Sequence, residues 1–151
     1  MSLVQNLVFY IEEAYRLPDY GIWERGAKTN CGNREINAST IAMCLSALEA
    51  CDGLSFFGGK MSLHVTPDDI SKCRLSLNSM LPRESNSKEL DSGILFALSY
   101  PGFCSVDAEV REATYAKIGE KLVGNYGLKR FLRDGYNTPM EDKTRLHYNA
   151  F

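Results

Sequence analysis

The segment PDYGIWERG, residues 18–26, lies between two apolar stretches of helical spacing and decides how the rest of the chain is interpreted. It places Trp23, the one tryptophan of the sequence, next to Glu24 and Arg25. An aromatic face beside a carboxylate and a guanidinium suits a polar, ring-shaped ligand such as a sugar, because the ring stacks and the charged groups bind hydroxyls. The structural alternative is that Trp23 closes the end of a helix pair while Glu24 and Arg25 form an ion pair at its rim.

The composition is that of a globular protein, and we expect one domain covering residues 1–151. Seventeen basic and nineteen acidic side chains give a net charge of −2, which favours neither a nucleic-acid partner nor a polybasic membrane contact. No apolar run approaches the roughly 20 residues that span a bilayer. The first residues lack the order of a signal peptide, so we expect none.

The five cysteines of the chain are odd in number and none forms a C-x-x-C pair, which predicts a reducing, cytosolic compartment. Cys44, Cys51 and Cys73 fall on apolar helical faces, where a free cysteine behaves as a small hydrophobic residue. His64 and His147 are far apart and lack the spacing of metal ligands. We therefore expect no metal site and no cofactor.

Apolar spacing predicts an all-α fold of about five helices joined by long loops, at residues 2–16, 39–50, 67–81, 89–98 and 107–123. The second helix is apolar on nearly every side, so we expect it to be an inner element. Five helices stacked as α-hairpins leave the fifth without a partner, which suggests that the chain is part of a larger assembly of helices. Residues 82–88 are predicted to form a polar surface loop, and residues 129–151 a surface or site-lining loop.

Helix starts are marked by residues that cap backbone N–H groups. Ser2 and Gln5 are predicted to form a capping box at the first helix. The other predicted caps are Thr66 for the third helix, Asp107 for the fifth, and one of Asn37, Ser39 and Thr40 for the second. The first helix is predicted to bury a stripe of Val4, Leu7, Val8, Ile11 and Tyr15.

Glycoside hydrolysis requires two carboxyl groups, one acting as an acid and the other as a base or nucleophile. Glu24 suits the acid because the apolar wall of a neighbouring tryptophan raises the pKa of a carboxyl group. Three residues could supply the second carboxylate, and none has a context that singles it out: Asp19, Asp134 and Glu141.

The motif GIWERG at residues 21–26, followed by the leucine-rich helix 41–50, resembles the glucoamylase-type glycoside hydrolase domain. In that family the glutamate after the tryptophan is the general acid, a position that corresponds to Glu24. A closer similarity, to the alpha and beta regulatory subunits of phosphorylase kinase, covers nearly the whole chain. It rests on residues 5–12 (QNLVFYIE), 21–26, 77–83 (LNSMLPR) and 130–136 (RFLRDGY), with residues 28–30 and 36–39 closer to alpha and residues 82–85 and 99–101 closer to beta.

This resemblance implies a partial α/α toroid, an incomplete arc of a six-hairpin barrel. It also implies a non-catalytic subunit that restrains the kinase catalytic subunit in glycogen metabolism, with calmodulin as a further partner. The implied location is the cytoplasm, with membrane association only through a prenylated C-terminus that this sequence does not contain. The family's second catalytic carboxylate would lie beyond Phe151.

Two alternatives use the same residues: a glucoamylase-like hydrolase and a carbohydrate-binding module. Either would bind an oligosaccharide, and neither involves nucleic acid. The candidate carbohydrate-binding residues are Trp23, Glu24, Arg25, Arg133 and Asp134. As an arc of a ring, the chain is also expected to be unstable alone, because its inner helix would leave apolar area in water.

Overall fold

The computed structural model describes residues 2–23, 33–56, 58–99 and 104–132, together with the backbone of 148–149. This part of the chain is mainly helical, as predicted, with five helices. The helices are α1 (Ser2–Ala14), α2 (Ala38–Cys51), α3 (Pro67–Met80), α4 (Ile94–Leu98) and α5 (Ala108–Lys121). Five short strands, which were not predicted, are β1 (Ser55–Phe56), β2 (Met61–Ser62), β3 (Val123–Gly124), β4 (Gly127–Lys129) and β5 (Tyr148–Asn149).

The strands form two small antiparallel units between and after the helices. Strands β1 and β2 make a hairpin between α2 and α3, and β3, β4 and β5 make a sheet in that order. Within the described ranges no helix is both long and apolar enough to span a bilayer. The helices are consistent with a glucoamylase-like fold, and closure of a ring stays a prediction.

Helix α2 lies at the centre of the described fold and packs against α1, α3 and α4. Its residues Ile41, Leu45 and Leu48 recur one turn apart and are fully buried. They join Cys73 and Leu77 of α3 in the main hydrophobic core. The prediction of an apolar inner helix is therefore confirmed.

Helix α1 buries less of its apolar surface than its sequence predicts. Val8 and Tyr15 are buried, but Val4 is 42% exposed and Leu7 is 53% exposed. The prediction that the whole stripe is buried is thus wrong for these two residues. The reason is geometric, because the main packing partner of α1 among the described helices is α2, which covers only one edge of it.

The predicted N-cap residues of α2, α3 and α5 are at the N-cap positions, but their side chains do not make the predicted hydrogen bonds. At α1, Gln5 pairs with the backbone of His64: its Nε2 donates to the His64 carbonyl and its Oε1 accepts the His64 N–H, each at 2.8 Å. The Ser2 side chain lies outside the described residues, so the capping box stays a prediction. Asn37, Thr66 and Asp107 do occupy N-cap positions, but none makes a side-chain cap hydrogen bond.

The fourth helix is much shorter than the predicted range 89–98, since it begins at Ile94. Asp91 forms an isolated antiparallel bridge with Phe131, which holds the preceding residues in a turn. The Asp91 carboxylate also accepts the backbone N–H of Gly93 at 2.7 Å. Pairing with a distant segment therefore replaces the helix that local apolar spacing predicts.

The prediction of a polar surface loop at residues 82–88 is only partly right: Arg83, Asn86 and Ser87 are exposed, but three other residues are not. Glu84, Ser85 and Lys88 are all buried. Polar groups are tolerated in an interior when their hydrogen bonds are made, and this segment has partners in several parts of the fold. It therefore forms part of the candidate site rather than its surroundings.

Candidate functional site

The segment leading to Trp23 is fixed to the residues before α2. Asp19 and Glu35 exchange two backbone hydrogen bonds of 2.9 Å. The Asn37 amide donates to the Asp19 carboxylate at 2.8 Å and to the Glu35 carbonyl at 2.9 Å. Gly21 has a φ of +78°, in the left-handed region that favours glycine, and its N–H donates to the Asp19 carboxylate. The turn that presents Trp23 is thus held at its start.

The Trp23 side chain is anchored by a buried carboxylate. Its Nε1–H lies 2.9 Å and 3.0 Å from the two oxygens of Asp91. Asp91 is 0% exposed, and Lys88 Nζ lies 2.9 Å from its Oδ2. The indole N–H, the Lys88 ammonium and the Gly93 N–H together provide donors for this buried carboxylate.

Sequence reasoning missed Asp91. The available signal was a charged residue between the apolar residues Leu90 and Ile94, three positions after Lys88. A carboxylate that is buried with such neighbours needs a partner, and the spacing to Lys88 supplies one. The spacing does not identify Trp23 as the second partner, because 68 residues separate the two in sequence.

Cations lie over the aromatic rings of the site. The Arg130 guanidinium lies 5.5 Å from the centroid of the Trp23 ring, and Lys88 Nζ lies 4.7 Å from that of Phe131. Arg130 and Phe131 are buried, so the start of the 129–151 segment lines the site rather than the surface. Trp23 itself is half-buried.

The residue before Trp23 also fits closely. A Cβ atom added to Gly93 would lie 2.6 Å from Cγ2 of Ile22, a distance that side chains do not tolerate. Gly93 therefore allows the 21–23 turn to sit directly on the 91–93 turn. The indole hydrogen bond and the packing of the Ile22 side chain on Gly93 hold the same two turns together.

Glu84 lies in the polar segment of residues 84–93, which also contains Asp91, and it connects this segment to the start of α2. Its carboxylate accepts the Ser39 N–H at 3.1 Å and the Ser39 hydroxyl at 2.5 Å, and its backbone carbonyl accepts the Ala38 N–H at 2.7 Å. These contacts satisfy N–H groups that a helix start leaves unpaired, which explains why the Asn37 side chain is not needed as a cap. Burial, followed by the charge of Asp91, raises the pKa of Glu84 to about 7.

Glu35 behaves in the opposite way although it lies next to the same segment. Burial alone would raise its pKa, but hydrogen bonds from the hydroxyls of Ser85 at 2.6 Å and Ser87 at 2.7 Å outweigh it. The net result is a lowered pKa for Glu35. Hydroxyl donors therefore keep this carboxylate ionised, whereas Glu84 is biased towards its neutral form.

A cleft of about 630 Å³ opens beside this network, within the size range of small-molecule sites. One wall is the turn from Asp19 to Ile22, and the other is the first part of α2, including Thr40 and Met43. Cys44 also lines it, but burial raises the pKa of this thiol to about 11, so it is not a nucleophile near neutral pH.

Of the five predicted carbohydrate-binding residues, the structure describes Trp23. Glu24, Arg25, Arg133 and Asp134 lie outside the described residues, as does Glu141. Asp19, the remaining candidate for a second carboxylate, pairs with Asn37 and the Gly21 N–H and lines the cleft. Across the described ranges, no group of three or more His, Cys, Asp or Glu side chains is arranged to hold a metal ion.

A family model described as glycosyl hydrolases family 15 matches residues 1–145. Because the match covers nearly the whole sequence, the chain belongs to glycosyl hydrolases family 15. This is the class to which the GIWERG motif pointed.

The chain is also similar to regulatory subunits of phosphorylase b kinase. The probable phosphorylase b kinase regulatory subunit alpha of Drosophila melanogaster is 55% identical, over 100% of this chain and 12% of its own length. The liver isoform of the same subunit from Oryctolagus cuniculus is 52% identical over 99% of the chain, and the skeletal muscle isoform is 51% identical over 98%. The chain spans 12% of the length of each of these relatives.

Proposed function

We propose that this chain acts in a non-catalytic regulatory subunit of phosphorylase kinase, of the alpha type, and takes part in control of glycogen metabolism. The observation that carries the proposal is an identity of 51–55% over 98–100% of the chain with subunits of that name. The matched range includes the Trp23 turn and the polar segment that holds it. The chain would act through protein contacts, with the kinase catalytic subunit as its main partner.

The surroundings of Trp23 support a role without catalysis. Among the residues that the structure describes, the carboxylate at the Trp23 side chain is Asp91, which accepts hydrogen bonds from Lys88, Gly93 and the indole itself. A general base must be free to accept a proton from water, and a buried carboxylate with these partners is not. Asp91 therefore supports the structure of the site instead of hydrolysis.

Calmodulin as a second partner and a cytoplasmic location belong to the same proposal. So does membrane association through a prenylated C-terminus outside this sequence. These features rest on the resemblance alone, and they predict no binding site among the described residues.

A second candidate function is carbohydrate binding or hydrolysis, favoured by family 15 membership and by the cleft beside the Trp23 turn. Trp23 and Glu24 would be its main residues. A lone carboxylate in such a cleft binds a sugar, whereas hydrolysis requires a second one.

Two measurements on the same protein separate these functions. We expect the purified chain to bind the phosphorylase kinase catalytic subunit in a pull-down and to release no glucose from maltose or longer glucans. Glucose release that is lost in Glu24→Gln would overturn the non-catalytic proposal. Quenching of Trp23 fluorescence by malto-oligosaccharides without hydrolysis would instead support the carbohydrate-binding module.

A further inference from the structure

The Trp23 ring makes two contacts with distant parts of the chain, and the residue before it packs on the turn that contains one of these partners. Its N–H faces both oxygens of Asp91, Arg130 lies over the ring, and its neighbour Ile22 packs on Gly93. A half-buried aromatic ring on a turn would otherwise change rotamer easily. Together these contacts restrict the orientation of the ring.

We propose that Asp91 is the positioning residue of Trp23: its buried carboxylate takes the indole N–H and thereby fixes which part of the ring the protein presents to a ligand or partner. Lys88 makes this arrangement possible, because it supplies the positive charge that a fully buried carboxylate requires. The Gly93 N–H directs the carboxylate by binding its Oδ1 at 2.7 Å.

This role limits how Trp23 can be recognised. The indole N–H is not available to a ligand hydroxyl, because Asp91 already accepts it. The guanidinium of Arg130 lies over the ring, so a ligand meets the remaining apolar surface. Recognition by Trp23 is therefore by stacking and shape. The role of Asp91 is the same whether the partner is a sugar or a protein surface.

The single tryptophan makes the proposal directly measurable, since the chain has one indole N–H resonance in a ¹H–¹⁵N spectrum. In the wild type we expect this proton to exchange with solvent at least about tenfold more slowly than in free tryptophan, because its acceptor is a buried charged group. We also expect nuclear Overhauser contacts between the indole ring and the Arg130 side chain.

In Asp91→Asn the acceptor becomes neutral, so the resonance should move upfield, exchange should accelerate and the contacts to Arg130 should disappear. Asp68→Asn is the matched control, because Asp68 is an exposed carboxylate paired with Lys72 on α3. Far-UV circular dichroism checks that both variants stay folded.

Two results would overturn the proposal. One is an indole resonance that is unchanged in a folded Asp91→Asn protein. The other is rapid indole exchange in the wild type, which decides the question even if Asp91→Asn does not fold. Loss of kinase-subunit binding has no bearing on either measurement, so this proposal and the proposed function fail separately.

Discussion

Two regions of this molecule reach the same degree of burial by different chemistry. In the α2–α3 packing, Leu45 and Leu77 are fully buried among apolar neighbours. In the polar segment, residues 84–93, Glu84 and Asp91 are equally buried but are surrounded by hydrogen-bond donors. The first region is stabilised by area removed from water, and the second is tolerated only because each charge has partners. The two should therefore respond differently to substitution.

The largest expected effect is in the polar segment. Lys88→Met leaves the buried Asp91 carboxylate without its counter-charge, and removing one partner of a buried ion pair costs about 3–5 kcal/mol. We expect a loss of this size in the free energy of unfolding, measured by urea denaturation. Lys72→Met is the control, because its pair with Asp68 is exposed and should make little difference. A loss in Lys88→Met as small as that in Lys72→Met would contradict a structural role for the buried pair.

The next effect belongs to the apolar region. Leu45→Ala removes a fully buried side chain from the centre of α2 and should cost about 3 kcal/mol in the same denaturation experiment. Met43→Ala on the same helix is the control, since Met43 is about half exposed, and we expect a loss below about 1 kcal/mol. If the two losses were similar, α2 would not be the inner helix described above.

A smaller effect is expected where the two turns meet. Gly93→Ala forces the Ile22 side chain to move, because the new Cβ would lie 2.6 Å from it, and overpacking of this kind costs about 1–3 kcal/mol. Gly119→Ala in α5 meets no atom within 4 Å and should stabilise the protein by about 0.5–1 kcal/mol. A stabilising effect at Gly93 would mean that the 21–23 turn is not packed on it.

The difference between the regions also explains what the sequence could predict. The spacing of Ile41, Leu45 and Leu48 predicts a buried helix, because apolar side chains one turn apart indicate which face of a helix packs in the core. No local sequence pattern indicates that Glu84 contacts the start of α2 or that Asp91 contacts Trp23, since those partners are distant in sequence. Local apolar spacing around Asp91 even predicts a helix, and the bridge to Phe131 prevents it. The helical class was thus predictable, whereas the partners of the candidate site were not.

A further expected effect is a pH dependence that comes from Glu84. Burial and Asp91 raise its pKa from the usual 4.5 to about 7, so between these values the folded state binds a proton more tightly than the unfolded state. This stabilising contribution is complete below about pH 4.5 and is lost as the pH rises through 7. Glu35 has the opposite sign, since its lowered pKa contributes stability that is lost only as the pH falls below its usual range.

We therefore expect the midpoint of thermal unfolding, followed by circular dichroism, to be about 2 °C or more lower at pH 8 than at pH 5.5. Glu84→Gln keeps an acceptor for the Ser39 N–H but cannot ionise, so it should remove most of this slope. Glu89→Gln is the control, because Glu89 is an exposed carboxylate of the same chain region and should leave the slope in place. A slope that survives in Glu84→Gln would assign the pH dependence to other groups. The contribution of the polar segment to the free energy of unfolding would then not depend on the charge of Glu84.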